Sequence, residues 1–288
     1  MKVVLVHGRS QQGKDPVGLR TRWISALKEG LTNADIDADL TDVHFAFYGD
    51  LLAQLVDEVE NSLPADISAR SADDGPSDYA TTQRAIWKEL TETAGLTDDQ
   101  IHTELGTTIP RDPQNWGWVL ACTRALSRIP DLDTKLIDRW VRDVSLYLTN
   151  TAVQRAINKV VLAELDDAPF VLVAHSLGTV LSYNVLRSAD RHGHCHGLIT
   201  LGSPLGISAI RTRLHTPLTH PRDTDHWFNA YDKADIVALR PLDQDWFPLE
   251  PPIENYEKVS NTTSNHHGIS GYLNDPFVAA TIAKFLHA

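Results

Sequence analysis

The sequence predicts an α/β fold, in which a mostly parallel central sheet is flanked by helices and carries a helical insertion. Short β-branched apolar runs alternate with amphipathic helical segments, which is the order typical of βα units in a parallel sheet. Residues 51–150 break this alternation, because their apolar residues recur with helical spacing only. The chain has 288 residues, so it buries a sizeable core and needs neither disulfides nor metals to fold.

The first fifty residues form a β-loop-α-β pattern. Residues 3–6 are a short β-branched run of the kind found in buried parallel strands, and residues 43–48 are predicted to be the second strand, closed by Gly49 and Asp50. Between them a helix is marked by apolar residues every four positions: Leu19, Trp23, Leu27 and Leu31. This unit predicts parallel pairing through a right-handed crossover.

The segment 51–150 is predicted to be a helical cap over the sheet. It contains four of the seven tryptophans, Trp87, Trp116, Trp118 and Trp140. A capping-box spacing predicts a helix start at Thr97, with Gln100 three positions later, and residues 64–78 are rich in Ser, Asp and Ala, which predicts a loop. The other helices are predicted over 51–61, 82–94, 116–128 and 134–148. Helical apolar stripes occur both in ordinary cores and in pockets that hold acyl chains, so both interpretations of the cap are open.

After residue 150 the alternation of strands and helices resumes. An amphipathic helix is marked by Val153, Ile157, Val160, Val161 and Leu165. Further elements are predicted in the order strand 170–174, helix 178–190, strand 197–201 and strand 227–231. The last helix has a predicted buried face of Phe277, Val278, Ile282, Phe285 and Leu286. Residues 1–50 and 151–288 are therefore assigned to one sheet-containing core, and residues 51–150 to the cap.

The clearest chemical signal is Ala174-His175-Ser176-Leu177-Gly178, which lies between an apolar strand and a helix. A serine hydroxyl is a weak nucleophile unless a base contacts it and its oxygen is held clear of neighbouring atoms. Small residues two positions before and after Ser176 allow the backbone to bend sharply between strand and helix. The helix N-terminus adds a partial positive charge where an oxyanion develops, and the amide of Leu177 is predicted to be one of its donors.

A nucleophilic serine needs a base, and the base needs a carboxylate that fixes its tautomer. Two aspartates, Asp232 and Asp235, follow the last predicted strand. Because sites in open α/β sheets form at the carboxyl ends of strands, both aspartates are suitably placed. The loop before the last helix contains His266 and His267. We favour His267 as the base because Gly268 gives the loop room to turn the imidazole toward the serine, and His266 is the alternative.

These motifs together resemble the α/β-hydrolase superfamily, in particular its compact lipase- and esterase-like members. The usual elbow is Gly-x-Ser-x-Gly, and here Ala174 stands in place of the first glycine, which adds one methyl group to the turn. Val6-His7-Gly8-Arg9 resembles the His-Gly-x element of lipases, and Gly202-Ser203-Pro204 is similar to a turn that recurs in such hydrolases. The resemblance spans residues 1–50 and about 150–288, and it leaves out the cap.

The resemblance implies a catalytic triad in the chain order Ser176, Asp235, His267. Asp235 is preferred to Asp232 because Asp-Ile-Val is similar to the acid position of these hydrolases, in which a small apolar pair follows the aspartate. The resemblance also makes the backbone amide of Arg9 the second oxyanion donor, beside that of Leu177. His7 is expected to brace this loop, and the Arg9 side chain is expected to face either substrate or solvent.

The expected activity is hydrolysis of a small-molecule carboxylic ester through a serine acyl-enzyme, with no cofactor. A peptidase, a thioesterase or an acyltransferase uses the same triad, so these enzymes are alternatives on the same machinery. A non-catalytic protein of this fold that binds a partner through its cap is the alternative of a different class, because a fold by itself does not determine function.

Composition and motif context argue against several other functions. Acidic residues outnumber basic residues 38 to 26, with a formal charge of −12, whereas nucleic acids and anionic membranes select basic patches. Residues 8–14 fit the spacing of a phosphate-binding loop, but Asp15 follows where Ser or Thr should hold Mg²⁺, so nucleotide binding is not predicted. His192, His194 and His196 lie in a histidine-rich loop without a second ligand cluster, so no metal is predicted.

Cysteine usage and hydropathy bear on the location of the chain. Its two cysteines, Cys122 and Cys195, form no disulfide framework and no Cys-x-x-Cys spacing. The N-terminal apolar run is too short for a signal peptide, and no window approaches the ~18 apolar residues of a membrane span. The chain is therefore expected to be a cytoplasmic protein with no integral membrane segment.

Overall fold

A six-stranded, all-parallel sheet forms the centre of the fold. The computed structural model describes residues 1–9, 11–62, 77–105, 116–129, 133–188 and 193–287. Within these ranges the strands are β1 Lys2–Val6, β2 Val43–Ala46, β3 Phe170–His175, β4 Cys195–Leu201, β5 Trp227–Ala230 and β6 Glu254–Tyr256. They lie side by side in the order β2-β1-β3-β4-β5-β6. The predicted α/β class with a mostly parallel sheet is confirmed.

Helices flank both faces of this sheet. In chain order they are α1 Pro16–Asn33, α2 Gly49–Ser62, α3 Asp78–Thr93, α4 Asp98–Leu105, α5 Trp116–Leu126, α6 Thr134–Thr149, α7 Thr151–Leu162, α8 Leu177–Leu186, α9 Ser208–Arg211, α10 Ile269–Leu273 and α11 Pro276–Leu286. The loop predicted over 64–78 lies outside the described residues except at positions 77 and 78, where Ser77 caps α3. None of the helices in the described ranges has the length and apolar character needed to cross a membrane.

Local capping chemistry sets where several of these helices begin. Asp15 accepts hydrogen bonds from the amides of Val17 and Gly18 at the start of α1, which satisfies two donors that have no partner inside the helix. At α4 the predicted capping box is present. The Gln100 amide donates to Thr97 Oγ1 over 3.3 Å, and the Thr97 amide donates to Gln100 Oε1 over 2.8 Å.

The strand order places a switch point between β1 and β3. These two strands pair in the interior of the sheet, and Val6 lies opposite Ala174 at their carboxyl ends. β2 extends the sheet beyond β1, whereas β4, β5 and β6 extend it on the other side of β3. Open α/β sheets place their sites outside the carboxyl ends of strands at such a reversal of strand order.

Two apolar clusters cover the two faces of the sheet. Successive residues of β1 alternate between the two clusters. Val3 packs with α1 and α11, whereas Val4 belongs to the cluster that contains the helices of segment 51–150. The cluster that contains Val4 also contains three tryptophans of that segment: Trp87, Trp118 and Trp140. The side chain of Trp116 lies outside the described part of the structure. The helical segment thus shares a continuous core with one face of the sheet, and its assignment as a cap stays a prediction.

Phe277 does not lie on the buried face predicted for the last helix. Its side chain is 45% exposed, because it occupies the first turn of α11 and stacks on Tyr256 of strand β6, with ring centroids 4.5 Å apart. The other four residues of the predicted face are buried: Val278, Ile282, Phe285 and Leu286.

The second strand is shorter than predicted. It ends at Ala46, and Gly49 and Asp50 begin α2 instead of closing a strand. Tyr48 explains the difference, because its amide donates to Nε2 of His7 over 3.0 Å and not to a neighbouring strand. A side chain of the loop after β1 therefore accepts the hydrogen bond that would have continued β2.

Candidate active site

Ser176 lies at the turn between β3 and α8, in a backbone conformation that side chains rarely adopt. Its φ is 54° and its ψ is −128°, and the residue is almost completely buried. Non-glycine residues at such angles carry strain that the surrounding structure must impose, and they cluster at functional sites. The predicted elbow therefore has the sharp backbone turn that the sequence pattern implies.

Close packing of the neighbouring backbone enforces this turn. A Cβ atom on Gly178 would lie 2.5 Å from the carbonyl oxygens of both Val6 and His7, and one on Gly8 would lie 2.8 Å from Cβ of Ser176. Only glycine fits at either place without a shift of the backbone. Helix α8 and the loop after β1 are thus held directly against the serine.

Three side chains from separate parts of the chain meet at this turn. Oγ of Ser176 lies 2.8 Å from Nε2 of His267. On the other side of the ring, Nδ1 of His267 lies 2.6 Å from Oδ2 of Asp235, which is fully buried. The sequence spacing of these residues is large, but β3, β5 and the loop before α10 bring them to one edge of the sheet. The structure brings all three predicted triad residues together.

The two alternative residues are engaged elsewhere. Asp232 accepts hydrogen bonds from the amides of Asn261, at 2.6 Å, and Ala234, at 2.7 Å. His266 has a positive φ of 53°, and its Nδ1 lies 2.9 Å from the carbonyl oxygen of Asn261. Both residues therefore order the loops that carry Asp235 and His267. Among the described contacts, neither forms a hydrogen bond with the imidazole ring of His267.

Tyr272 is a further partner of Asp235 that sequence reasoning missed. Its hydroxyl donates to Oδ2 of Asp235 over 2.6 Å, and the amide of Val237 donates to Oδ1 over 3.0 Å. Burial, together with the nearby Asp235 carboxylate, raises the pKa of Tyr272 well above its usual value of 10, so the phenol remains a donor. The turn after β4 also lies here, because a Cβ on Gly202 would be 3.1 Å from Oδ2 of Asp235.

His175, the residue before the serine, holds the loop that carries His267. Its Nε2 donates to the carbonyl oxygen of His267 over 2.8 Å, and the two imidazole rings lie 4.7 Å apart. Burial, and secondarily the proximity of His267, lowers the pKa of His175 well below 6.5, so the ring is neutral. The sequence placed His175 inside the elbow motif but carried no signal for this contact.

The loop after β1 is braced from two sides. His7 accepts the Tyr48 amide on Nε2 and donates from Nδ1 to the carbonyl of Gly8. Burial lowers the pKa of His7 to about 4, so the ring is neutral in this tautomer. Arg9 forms a buried ion pair with Asp143 of α6, which anchors its side chain to the helical segment. Arg9 also lines the cavity beside Ser176, and a position toward substrate stays a prediction.

The backbone amide of Leu177, which is predicted to be an oxyanion donor, lies at the start of α8. Leu177 is the first residue of that helix, so its amide has no acceptor within the helix. It directly follows Ser176, and the N-terminus of α8 adds a partial positive charge at the same point. The Arg9 amide lies in the loop whose Gly8 packs on Ser176, so both predicted donors belong to segments next to the serine.

A pocket of about 620 Å³ opens onto Ser176 and His267. This volume is within the range of small-molecule sites. One face of α1 and one face of α6 supply most of its apolar lining: Leu19, Trp23, Ala26, Leu136, Ile137 and Trp140. Trp140 thus lines the pocket, whereas Trp87 and Trp118 belong to the core alone.

In the competing phosphate-loop pattern, the Gly13 amide and the N-terminus of α1 are already occupied. The amide of Gly13 donates to Oδ1 of Asp50 over 2.6 Å, and the carboxylate of Asp15 occupies the N-terminus of α1. A phosphate bound in such a loop would need the Gly13 amide as a free donor, and the negative charge of Asp15 would repel it. The local structure therefore does not support a nucleotide site here.

Potential metal ligands lie away from this pocket. Within the part of the chain that the structure describes, one group of three side chains has ligand atoms close enough to share an ion: His194, His196 and Asp225. His192 of the same tract lies outside the described residues.

No family model, curated protein or solved structure matches the chain. The assignment of function therefore depends on the chemistry of the site itself.

Proposed function

We propose that this chain is a serine hydrolase of the α/β-hydrolase type, which cleaves small carboxylic esters through a serine acyl-enzyme. The observation that carries the proposal is the continuous contact from Ser176 Oγ to His267 Nε2, at 2.8 Å, and from His267 Nδ1 to Asp235 Oδ2, at 2.6 Å. Nucleophile, base and orienting carboxylate at these distances form the arrangement that activates a serine. The cytoplasmic location stays a prediction.

In the acylation step, Ser176 Oγ attacks the carbonyl carbon of the ester while its proton passes to Nε2 of His267. The carbonyl oxygen becomes an oxyanion, which the amides of Leu177 and Arg9 stabilise. Asp235 keeps the imidazole in the tautomer with a proton on Nδ1 and stabilises the cation that forms. When the intermediate collapses, the bond to the alcohol oxygen breaks and that oxygen takes the proton from Nε2.

In the deacylation step, water replaces the alcohol. His267 accepts a proton from the water as its oxygen attacks the acyl carbon, and the same donors hold the second oxyanion. Collapse of this intermediate returns the proton to Ser176 Oγ and releases the carboxylic acid. The atoms of ester and water are thereby divided between acid and alcohol, and no cofactor takes part.

The pocket supports an ester of modest size. Its apolar lining from α1 and α6 favours an acyl chain, because burial of apolar area is favourable and needs no specific geometry. Peptides, thioesters and acyl transfer to another alcohol use the same triad. These reactions are distinguished by rates on matched substrates and not by the arrangement of the three residues.

A fluorophosphonate probe tests the proposal directly. We expect it to label Ser176 in the wild type and to label nothing in Ser176→Ala, which should also lose hydrolysis of 4-nitrophenyl butyrate and keep its fold by circular dichroism. Ser270→Ala is the matched control, since Ser270 is exposed and lines the same pocket. Folded wild-type protein that neither reacts with the probe nor cleaves the ester would instead indicate a non-catalytic binding protein.

A further inference from the structure

We propose that the pocket selects esters that also carry an anionic group, recognised by Lys14 and Arg22. This inference rests on the proposed hydrolase function and names its substrate class. Both cations line the pocket that contains Ser176, although the chain as a whole is acidic, with 38 acidic against 26 basic residues. Basic groups concentrated in the pocket of an acidic protein select a ligand of opposite charge.

Neither cation is neutralised by a carboxylate. In the described ranges, Lys14 donates from Nζ to Oε1 of Gln11 over 3.2 Å, and Arg22 forms no ion pair. The third cation of the pocket, Arg9, is paired with Asp143. Lys14 and Arg22 therefore differ from Arg9 in having charge available for a ligand.

The two available cations also repel each other. Partial burial and the nearby charge of Arg22 lower the pKa of Lys14 below 10.5. A like charge at close range disfavours the charged form of a lysine, and an anion between the two groups removes that repulsion. A bound anion thus lowers the electrostatic energy of this pair of cations.

The nearby carboxylates do not supply that anion. Asp133, which lines the same pocket, accepts the amides of Lys135 and Leu136 at the start of α6. Asp15, next to Lys14, caps α1. Each of these carboxylates is held at the positive end of a helix.

The arrangement of α1 separates an apolar from a charged part of the pocket. Leu19, Trp23 and Ala26 lie on the same helix face as Arg22, but they are buried, whereas Arg22 and Lys14 are exposed. A ligand that fits both parts has an apolar segment near the serine and an anionic group, such as a carboxylate, toward solvent. Charge-assisted hydrogen bonds to such a group are stronger than neutral ones.

The test compares anionic and neutral esters of equal length. We expect kcat/KM for 4-nitrophenyl hydrogen suberate to exceed that for 4-nitrophenyl octanoate, and this preference to fall as salt shortens the screening length. Octanoyl esters of phenol and of 4-hydroxybenzoate place the anion on the leaving group instead. The double change Lys14→Gln with Arg22→Gln should lower kcat/KM about tenfold for whichever anionic ester is preferred, and less than twofold for the neutral esters.

The control is Lys28→Gln, which removes an exposed cation from the same helix outside the pocket. It should leave all four rates unchanged. If the wild type hydrolyses neutral and anionic esters equally and the double variant changes neither, the charge selection is wrong and the hydrolase proposal stands. If the wild type hydrolyses none of the esters and resists the fluorophosphonate probe, the proposed function fails and the inference fails with it.

A second observation, independent of the hydrolase, concerns His194, His196 and Asp225. We infer that they form a site for a transition-metal ion such as Zn²⁺. Nε2 of His194 lies 2.8 Å and Nδ1 of His196 lies 3.1 Å from Oδ2 of Asp225, and the ligand atoms all lie within 4.8 Å of one another. Two imidazoles and one carboxylate with room for water form a typical donor set for zinc.

The backbone holds these side chains in place. His194 and His196 flank Cys195 at the start of β4, so in extended chain they point to the same side. Cys195 pairs with the segment that carries Asp225, because its amide donates to Asp223 over 2.9 Å and its carbonyl accepts the Asp225 amide over 3.0 Å. The ligands therefore need only side-chain rotation to coordinate an ion. Sequence reasoning missed this third ligand, which lies far along the chain from the histidine tract.

Calorimetric titration of the 288-residue chain, without an affinity tag, with Zn²⁺ at pH 7.5 tests the site. We expect one equivalent to bind, with affinity lowered at least about tenfold in His194→Ala and in His196→Ala, since loss of a group that only orients a metal ligand already costs that much. Ca²⁺, which prefers oxygen ligands, should not compete. His44→Ala is the control, because His44 is also half-exposed and paired with carboxylates. Binding that is unchanged in both ligand variants, or lost equally in the control, would overturn the inference.

Discussion

The hydroxyl of Tyr272 donates to the same oxygen of Asp235 that faces Nδ1 of His267. The Tyr272–Asp235 distance is 2.6 Å, and so is the His267–Asp235 distance. A buried carboxylate that accepts two short hydrogen bonds on one oxygen has little freedom to rotate. In the proposed reaction, Tyr272 is therefore a positioning residue, which acts through Asp235.

Tyr272→Phe should lower kcat about tenfold and leave KM nearly unchanged, because a hydrogen bond to a charged group contributes about 1.5–3 kcal/mol and this one does not touch substrate. Steady-state kinetics on 4-nitrophenyl butyrate give the two constants separately. Tyr256→Phe is the control, since Tyr256 lies at the sheet edge and stacks on Phe277. A variant in which KM rises and kcat stays constant would place Tyr272 in substrate binding instead.

The two aspartates after β5 should differ sharply in their effect on activity. Asp235→Asn should lower kcat by roughly 10⁴-fold, the loss that follows when the orienting carboxylate of a triad becomes an amide. Asp232→Asn should retain most activity but lower the free energy of unfolding, because Asp232 accepts the amides of Asn261 and Ala234. Kinetics and urea denaturation of both variants separate the two roles. The reverse ranking of activities would make Asp232 the acid.

The adjacent histidines should separate in the same way. His267→Ala should lose ester hydrolysis, because Ser176 Oγ then has no base within reach. His266→Ala should keep substantial activity, since Nδ1 of His266 contacts the carbonyl of Asn261 and not the serine. Initial rates on one activated ester are sufficient to compare them. Equal losses would mean that the loop, and not one imidazole, carries the effect.

Local patterns predict the elements and the elbow but not the contacts between loops. Ser176 is recognisable because strand, small residues and helix lie within one short stretch. The choice of Asp235 over Asp232 came from a resemblance, since both follow the same strand. The Tyr272 and His175 contacts join residues that are distant in sequence, and such contacts depend on how the loops pack.

Strand β6 and the exposure of Phe277 were missed for a related reason. Glu254–Tyr256 has no apolar pattern, because an edge strand of three residues buries little surface, and only its neighbour β5 defines it. Phe277 continues an apolar run in the sequence, but it lies at the helix start beside that edge. Whether a side chain at the margin of a sheet is buried depends on where the last strand lies. The apolar periodicity of a single helix carries no information about that strand.

Acid should destabilise the protein through His7. Its pKa is about 4 in the folded chain against 6.5 for an unperturbed histidine, so below pH 6.5 the unfolded chain binds a proton that the folded chain does not. Stability therefore falls as the pH drops from 6.5 toward 4, with a loss of about 2 kcal/mol between pH 7 and pH 5 from this group. His175, whose pKa is also lowered by burial, adds to the loss in the same direction.

Urea denaturation at pH 7 and pH 5 measures this effect. His7→Gln should be less stable at pH 7 and should lose less stability on acidification than the wild type. His215→Gln, which changes an exposed histidine, should keep the full pH dependence. An unchanged pH dependence in His7→Gln would assign the acid sensitivity to other groups.

The chain-length preference tests whether α6 forms part of the substrate site. Leu136, Ile137 and Trp140 line the pocket beside Ser176, so an acyl chain placed there should bury each added methylene against them. Burial of one CH₂ contributes about 0.8 kcal/mol, which multiplies kcat/KM roughly three- to fourfold per carbon from acetate through butyrate toward medium chains until the pocket is full. Leu136→Ser should flatten this series, whereas Leu120→Ser, an exposed change on α5 outside the pocket, should not. If 4-nitrophenyl acetate is cleaved as well as the octanoate, α6 does not contact the acyl chain, and the role of Ser176, His267 and Asp235 is unaffected.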